Sequence, residues 1–153
     1  PIYRQSRVGY KNNSFVLFKL RTMYQDAEQS GPRFAQADDP RVTKVGRWLR
    51  RARIDEWPQF VNVIKGEMSL VGPRPERPEW VVQFRESIPY YDLRHFGRPG
   101  ITGWAQVTHG YTTGEQGAKT KLLRDLYYVK HLGFQLDAII LFRTLSVVGR
   151  RIE

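Results

Sequence analysis

The stretch Arg53-Ile54-Asp55-Glu56-Trp57-Pro58-Gln59 constrains what this chain can fold into more than any other. Proline is tolerated in a helix only in the first turn, where its missing N–H has no intrahelical partner to lose. Trp57, Phe60, Val61 and Ile64 follow at i, i+3, i+4 and i+7, the spacing of one helix face. The pattern predicts a helix from about Glu56 to Lys65, capped by Asp55 and stopped by Gly66. Two adjacent carboxylates then sit at the positive end of the helix dipole, which keeps an N-cap acid ionised at neutral pH. Such a carboxylate can cap, bind a metal or attack phosphorus.

The surrounding charge narrows the partner to an anion. The 153 residues carry 25 Lys and Arg against 15 Asp and Glu, a formal charge of +10, and Arg47, Arg50, Arg51 and Arg53 crowd the carboxylates. Nucleic acid, an anionic membrane surface and a phosphorylated substrate all fit that charge, which alone does not choose among them. With no cysteine there are no disulfides, thiolate metal sites or cysteine nucleophiles. His95, His109 and His131 lack the spacing of a zinc site or triad. The length fits one domain over 1–153. No apolar run reaches spanning length, and the start lacks the order of a signal peptide.

Ile2 to Arg7 and Phe15 to Arg21 read as a β-hairpin around the polar turn Lys11-Asn12-Asn13-Ser14. In the second strand Val16, Phe18 and Leu20 form one face, and Lys19 and Arg21 lie on the other. Tyr24 to Asp38 is a polar helical turn and loop. Asp39-Pro40 reads as the start of a basic helix with Val42, Val45, Leu49 and Ala52 at near-helical spacing. Met68 to Val71 is a short buried segment, and it leads into Gly72-Pro73-Arg74-Pro75-Glu76-Arg77-Pro78. The three prolines there hold Arg74 and Arg77 on stiff backbone suited to an anion contact. Glu79 to Ser87 predicts a helix burying Trp80, Val81 and Phe84. Arg94, Arg98, Trp104 and Gln106 lie among aromatics that can stack a base or pack a core. Thr108 to Gly117 predicts a mobile loop, and Ala118 to His131 a helix with Leu122, Leu126 and Val129 inward. A last helix, about Phe134 to Val148, either closes the core or lies in a membrane interface, with packing expected for most of it. The fold class is therefore α+β, mainly helical with an N-terminal hairpin.

Several stretches together resemble the bacterial sugar transferases, the monotopic polyprenyl-phosphate phosphoglycosyl transferases. They are Tyr3-Arg4-Gln5-x-Arg7-Val8-Gly9, Phe18-Lys19-Leu20-Arg21-Thr22-Met23, Asp39-Pro40-Arg41-Val42-Thr43-x-Val45-Gly46-Arg47 and Asp55-Glu56-x-Pro58-Gln59. The longest are the run Asn62 to Pro75 and the run Arg98-Pro99-Gly100-Ile101-Thr102-Gly103-Trp104-Ala105-Gln106-Val107. The resemblance implies transfer of a sugar-1-phosphate from a UDP-sugar to undecaprenyl phosphate, releasing UMP, with Mg²⁺ as cofactor. It assigns the nucleophile to Asp55 and acid-base or metal chemistry to Glu56, with Asp55 and Glu56 as the metal ligands. Lys19, Arg21, Arg53, Arg74, Arg94 and Arg98 are the expected phosphate and substrate contacts. It places such proteins on the cytoplasmic face of the bacterial inner membrane, in exopolysaccharide, O-antigen and capsule-type assembly, as possible homo-oligomers without nucleic acid.

Two departures stand out. Family members carry a re-entrant membrane helix ahead of the hairpin, and this chain starts where that helix ends, so it reads as a catalytic domain lacking that helix. Trp57 stands where leucine is more usual. Two other readings remain at this point: a basic nucleic-acid-binding domain, which leaves the Asp-Glu pair unexplained, and an inactive membrane-peripheral scaffold of the same fold.

Overall fold

The computed structural model describes residues 2–29, 31, 33, 39–108 and 114–152, with 147–152 as backbone only. It is a mixed helical and stranded fold that opens on the expected hairpin. Strands β1 (Ile2–Val8) and β2 (Ser14–Leu20) pair antiparallel from Ile2↔Leu20 to Val8↔Ser14. The turn places Lys11 and Asn12 at positive φ, 51° and 63°, the left-handed region that asparagine adopts more readily than most residues. Leu17 is buried and Val16 exposed. The inward face of β2 is therefore the one that carries Lys19, and much of the more apolar even face is left outside.

Helix α1 (Lys44–Arg51) starts later than Asp39-Pro40 suggests. Asp39 instead binds the Arg41 backbone N–H at 3.0 Å and its guanidinium at 2.6 and 2.8 Å. A bridge between Met23 and Val42, with the Thr43 N–H on the Thr22 carbonyl, keeps the backbone extended through Val42. Thr43 is the N-cap, accepting from the Gly46 N–H at 2.9 Å. Gly46 faces inward in place of Val45, because a Cβ there would lie 2.0 Å from the Thr22 carbonyl oxygen. The polar loop expected over Tyr24 to Asp38 falls partly outside the described residues.

After α2 (Gln59–Ile64), strand β3 (Ser69–Val71) pairs parallel with β4 (Gly100–Thr102). Gly72 and Gly100 let these backbones touch, since a Cβ on Gly100 would meet the Gly72 nitrogen at 2.1 Å. Helix α3 (Pro78–Ser87) has proline in its first turn and buries Val81 and Phe84 against Val8, Ile88, Tyr91, Ala118 and Leu122, with Trp80 packed alongside. Helix α4 spans Trp104–Thr108, and α5 (Gly114–Lys130) takes in Gly114 to Gly117, which the sequence reading assigned to a loop. Residues 109–113 of that loop, with His109, lie outside the described residues.

Helix α6 (Phe134–Ile152) departs most from the packing expectation. Ile140 is fully buried with Val71 and Tyr128, and Leu136 packs beside them. Phe134, Ile139, Leu141, Phe142 and Leu145 are exposed. A single helix against a small cluster can bury one stripe, and this helix is apolar over more than one. Among the described residues, no helix is long and apolar enough to cross a membrane.

Candidate active site

The carboxylates enter the site through a left-handed residue. Arg53, at φ 60°, ends α1 and turns the chain into a 3-10 turn over Ile54–Glu56. Trp57 and Pro58 remain right-handed helical, so the backbone from Ile54 to Ile64 winds continuously into α2. Asp55, Gln59 and Asn62 therefore share one face, at i, i+4 and i+7. That polar face is the buried one. Gln59 is 1 % and Asn62 0 % exposed, whereas Trp57, Phe60, Val61 and Ile64, the stripe expected to pack, face outward, Ile64 at 86 %.

Asn62 explains the inversion. Its carboxamide accepts from the Phe18 N–H at 3.2 Å and donates to the Val16 carbonyl and to Glu67, each at 2.7 Å. It serves as a ladder partner for β2, and a satisfied buried amide is worth keeping inside. Asp55 is not the N-cap that the sequence suggested. No side-chain capping bond closes either helical start, and Asp55 Oδ1 is buried with no hydrogen-bond partner among the described residues.

Asp55 and Glu56 are each 7 % exposed, yet their surroundings differ. Glu56 Oε1 accepts from Arg74 at 2.5 Å and lies 3.5 Å from Lys19 Nζ, while Oε2 lies 3.4 Å from Arg53. Burial pushes the Glu56 carboxyl up, but Arg74, Lys19 and Arg53 together hold it well below the usual carboxylate range. Burial and then the Glu56 charge raise the Asp55 carboxyl, against weaker pulls from Lys19, Arg50 and Arg74. The pair is one carboxylate locked into cations and one unpartnered, more basic carboxylate. A more basic carboxylate is the better nucleophile. Burial and the nearby Arg74 charge lower Lys19 to about 8 despite Glu56.

The remaining expected contacts divide. Lys19, Arg53 and Arg74 converge on Glu56. Arg94 does not present a free guanidinium as expected for a substrate contact. It is 3 % exposed and bound to Asp125 at 2.7 and 3.0 Å, to the Tyr91 hydroxyl at 2.8 Å and to the Arg74 carbonyl at 2.8 Å. It holds the backbone of Arg74 and so acts behind the site. Arg21 lies over the Tyr3 ring at 5.5 Å, and Arg98 is exposed on the turn before β4. Trp104 stacks on Tyr127 at 5.7 Å beneath Arg143, and Gln106 donates to the Ile101 carbonyl at 3.1 Å. His95 is buried at the edge of Tyr91, 3.6 Å from Asp92. Sequence reasoning missed Gln59, Asn62 and Asp125 as site-building residues. Gln59 and Asn62 stood inside the quoted motifs, but an apolar stripe beside them gave no reason to turn them inward.

Among the described residues, no group of three or more His, Asp or Glu is placed to hold a metal ion. Mg²⁺ does not require one, since it commonly binds one or two carboxylates and completes its shell with water and substrate phosphates. The free Asp55 Oδ1 fits that requirement. Both Glu56 oxygens are engaged by Arg74, Lys19 and Arg53, so Glu56 fits it less well.

Comparison with known proteins identifies the family. The family model described as bacterial sugar transferase matches residues 1–151. The chain is 49 % identical over 147 residues to the UDP-N-acetylgalactosamine-undecaprenyl-phosphate N-acetylgalactosaminephosphotransferase of Aeromonas hydrophila, covering 96 % of this chain and 35 % of the relative. It is 41 % identical over 151 residues to the undecaprenyl-phosphate glucose phosphotransferase of Komagataeibacter xylinus, covering 95 % and 28 %. The UDP-glucose:undecaprenyl-phosphate glucose-1-phosphate transferase of Escherichia coli K12 is 40 % identical over 146 residues, covering 94 % and 32 %. The chain thus spans about a third of the length of these relatives. With its carboxylate pair set among converging cations and a family match from the first residue to within two of the last, the chain belongs to the bacterial sugar transferase family.

Proposed function

We propose that this chain transfers a sugar-1-phosphate from a UDP-sugar to undecaprenyl phosphate in two displacements at Asp55. The carrying observation is the contrast between Asp55 Oδ1, buried and unpartnered, and Glu56, which gathers Lys19, Arg53 and Arg74 beside it. In the first displacement an Asp55 oxygen forms a bond to the phosphorus bearing the sugar. The bond from that phosphorus to the bridging oxygen breaks, and UMP leaves with that oxygen. In the second, an oxygen of the lipid phosphate attacks the same phosphorus, the Asp55–phosphorus bond breaks, and the lipid-diphosphate-sugar departs. The free carboxylate returns with no net proton transfer.

Splitting the transfer lets a water-soluble donor and a membrane-held acceptor use one carboxylate in turn. Anion attacks anion in both steps, so fixed positive charge must offset the repulsion. Arg74 is suited to that, because Arg94 and two flanking prolines fix its backbone. Glu56 aims the three cations. Asp55 would hold Mg²⁺ together with the donor diphosphate, and the ion would supply further neutralisation of the phosphates.

The exposed apolar residues of α6, of α2 and of the turn before α2 support a membrane-surface location. Trp57, Phe60, Ile64, Phe134 and Phe142 stand outward near the basic residues Lys65 and Arg143, a composition suited to an anionic lipid interface. The names of the relatives carry N-acetylgalactosamine and glucose, so the donor is sought among those UDP-sugars. The reaction class is the first membrane step of exopolysaccharide, O-antigen or capsule-type assembly.

The test is intact-protein mass after incubation with Mg²⁺ and UDP-N-acetylgalactosamine or UDP-glucose, with UMP followed in the same samples. The expected result is a mass increase of one phosphosugar in the wild type and none in Asp55→Asn. That variant is also expected to unfold at higher urea at neutral pH, because it removes a buried carboxylate whose pKa folding raises. Turnover retained by Asp55→Asn would show that Asp55 is not the nucleophile.

A further inference from the structure

Gln59 and Asn62 occupy the same buried face of one helical segment, and their amides are treated oppositely. Every polar atom of the Asn62 amide has a partner on β2 or Glu67. Gln59 is as deeply buried, yet its Nε2 has no acceptor among the described residues. A buried N–H left unpaired is destabilising, and such groups are rare unless something outside the protein completes them. One turn earlier on the same face, Asp55 Oδ1 is buried and equally unpaired. Trp57 and Pro58 keep the intervening backbone right-handed helical, so Asp55 and Gln59 turn their buried side chains to the same side of the chain. An unused acceptor and an unused donor, beside three cations gathered on Glu56, are the chemical complement of a group that has an electrophilic centre and negative oxygens. A phosphoryl group has both.

We infer that Gln59 is a catalytic residue that donates an N–H from its side-chain amide to a non-bridging oxygen of the phosphoryl group moving onto and off Asp55. The inference rests on the proposed function and adds a neutral donor to a site otherwise built from charges. No proton changes hands. The Asp55–phosphorus bond forms, the phosphorus–oxygen bond to UMP breaks, and the amide only orients and stabilises the oxygens as negative charge redistributes. The amide adds this contact without placing a further fixed charge beside Asp55.

Gln59→Met tests this, since it keeps the length of the side chain and removes the donor. Urea unfolding of the free protein and the rate of adduct formation at saturating donor are measured on wild type and variant, and the Gln59 side-chain amide resonances are followed in wild type with and without UDP-N-acetylgalactosamine and Mg²⁺. The expected results are an unfolding midpoint equal to or above wild type and a Gln59 amide that shifts with the nucleotide sugar. Adduct formation should slow by about 10²–10³-fold, the loss seen when one oxyanion donor is removed, with the half-saturating donor concentration little changed. A lower unfolding midpoint overturns the inference, because it means the amide is satisfied in the free protein. So does adduct formation at the wild-type rate, or an amide that ignores the sugar nucleotide. If wild type itself forms no adduct, the covalent reading fails, and the unfolding and amide measurements still decide whether Gln59 meets the phosphoryl group.

Discussion

Helices α2 and α3 both carry apolar residues at helical spacing, but α3 turns Val81 and Phe84 into the core while α2 turns Phe60 and Ile64 to the outside. The difference lies in what the opposite face offers. The outer face of α3 carries Glu79, Gln83, Arg85 and Glu86, which lose nothing in water. The inner face of α2 carries Asn62, which completes the backbone of β2, and adjoins Glu56, which needs three cations. Periodicity establishes that a helix has two faces. Which face is buried depends on where specific hydrogen bonds and charges are met, and at α2 these outweigh the hydrophobic stripe.

The sharpest way to break this comparison is a pair of truncations read by urea unfolding. Phe84→Ala should lose about 3–5 kcal/mol, as a large core deletion does, whereas Ile64→Ala should stay within about 0.5 kcal/mol, as an exposed change does. Ile64→Ala should weaken binding to vesicles containing anionic lipid instead. Comparable destabilisation by the two would mean that α2 packs its apolar side.

The next effect should follow from Asn62→Leu, which leaves the Phe18 N–H and the Val16 carbonyl without their partner. Each unpaired group costs about 1–3 kcal/mol, and amide exchange at Phe18 should accelerate well beyond that at Val8, on the other strand. A variant as stable as wild type would remove Asn62 as the cause of the inverted helix.

The smallest effect is a pH slope that separates the charges at the site. Lys19 titrates near 8 in the folded protein against an ordinary 10.5. Between these values the unfolded chain binds the extra proton, so the Lys19 contribution makes stability rise with pH from about 8 to about 10.5. Glu56 is also lowered on folding, but because its charge is favoured rather than disfavoured. Its carboxyl is depressed, so its stabilisation is present above the ordinary glutamate range and is lost as pH falls through the folded value. Lys19→Met should flatten the alkaline slope and weaken the acid limb without abolishing it, because Arg74 and Arg53 still hold Glu56 down. Adduct formation in wild type should decline above about pH 8 as Lys19 loses its charge.

The same contrast explains how much could be read without the fold. The hairpin was legible because a polar turn between two β-rich runs is a local signal, and its strands lie within one residue of expectation. The carboxylate pair was legible because Asp-Glu in a basic chain is unusual and belongs to a longer motif pattern. The start of α1 was not, because the Met23–Val42 bridge that delays it joins residues nearly twenty positions apart. Arg94 looked like an anion contact for the same reason: its partner Asp125 comes from α5, and only their meeting shows that the guanidinium is already engaged.

The sequence by itself determined the family, the α+β composition, the positive field and the pair Asp55 and Glu56, because each is written in residue type and short-range order. The tertiary structure decided that Glu56 gathers the cations while Asp55 stays unpaired, that Gln59 and Asn62 face inward, and that α2 and α6 leave apolar surface outside. Burial and hydrogen-bond satisfaction are properties of an assembled neighbourhood, and two adjacent, equally buried carboxylates become chemically different only once strands and loops distant in the chain arrive on one side of them.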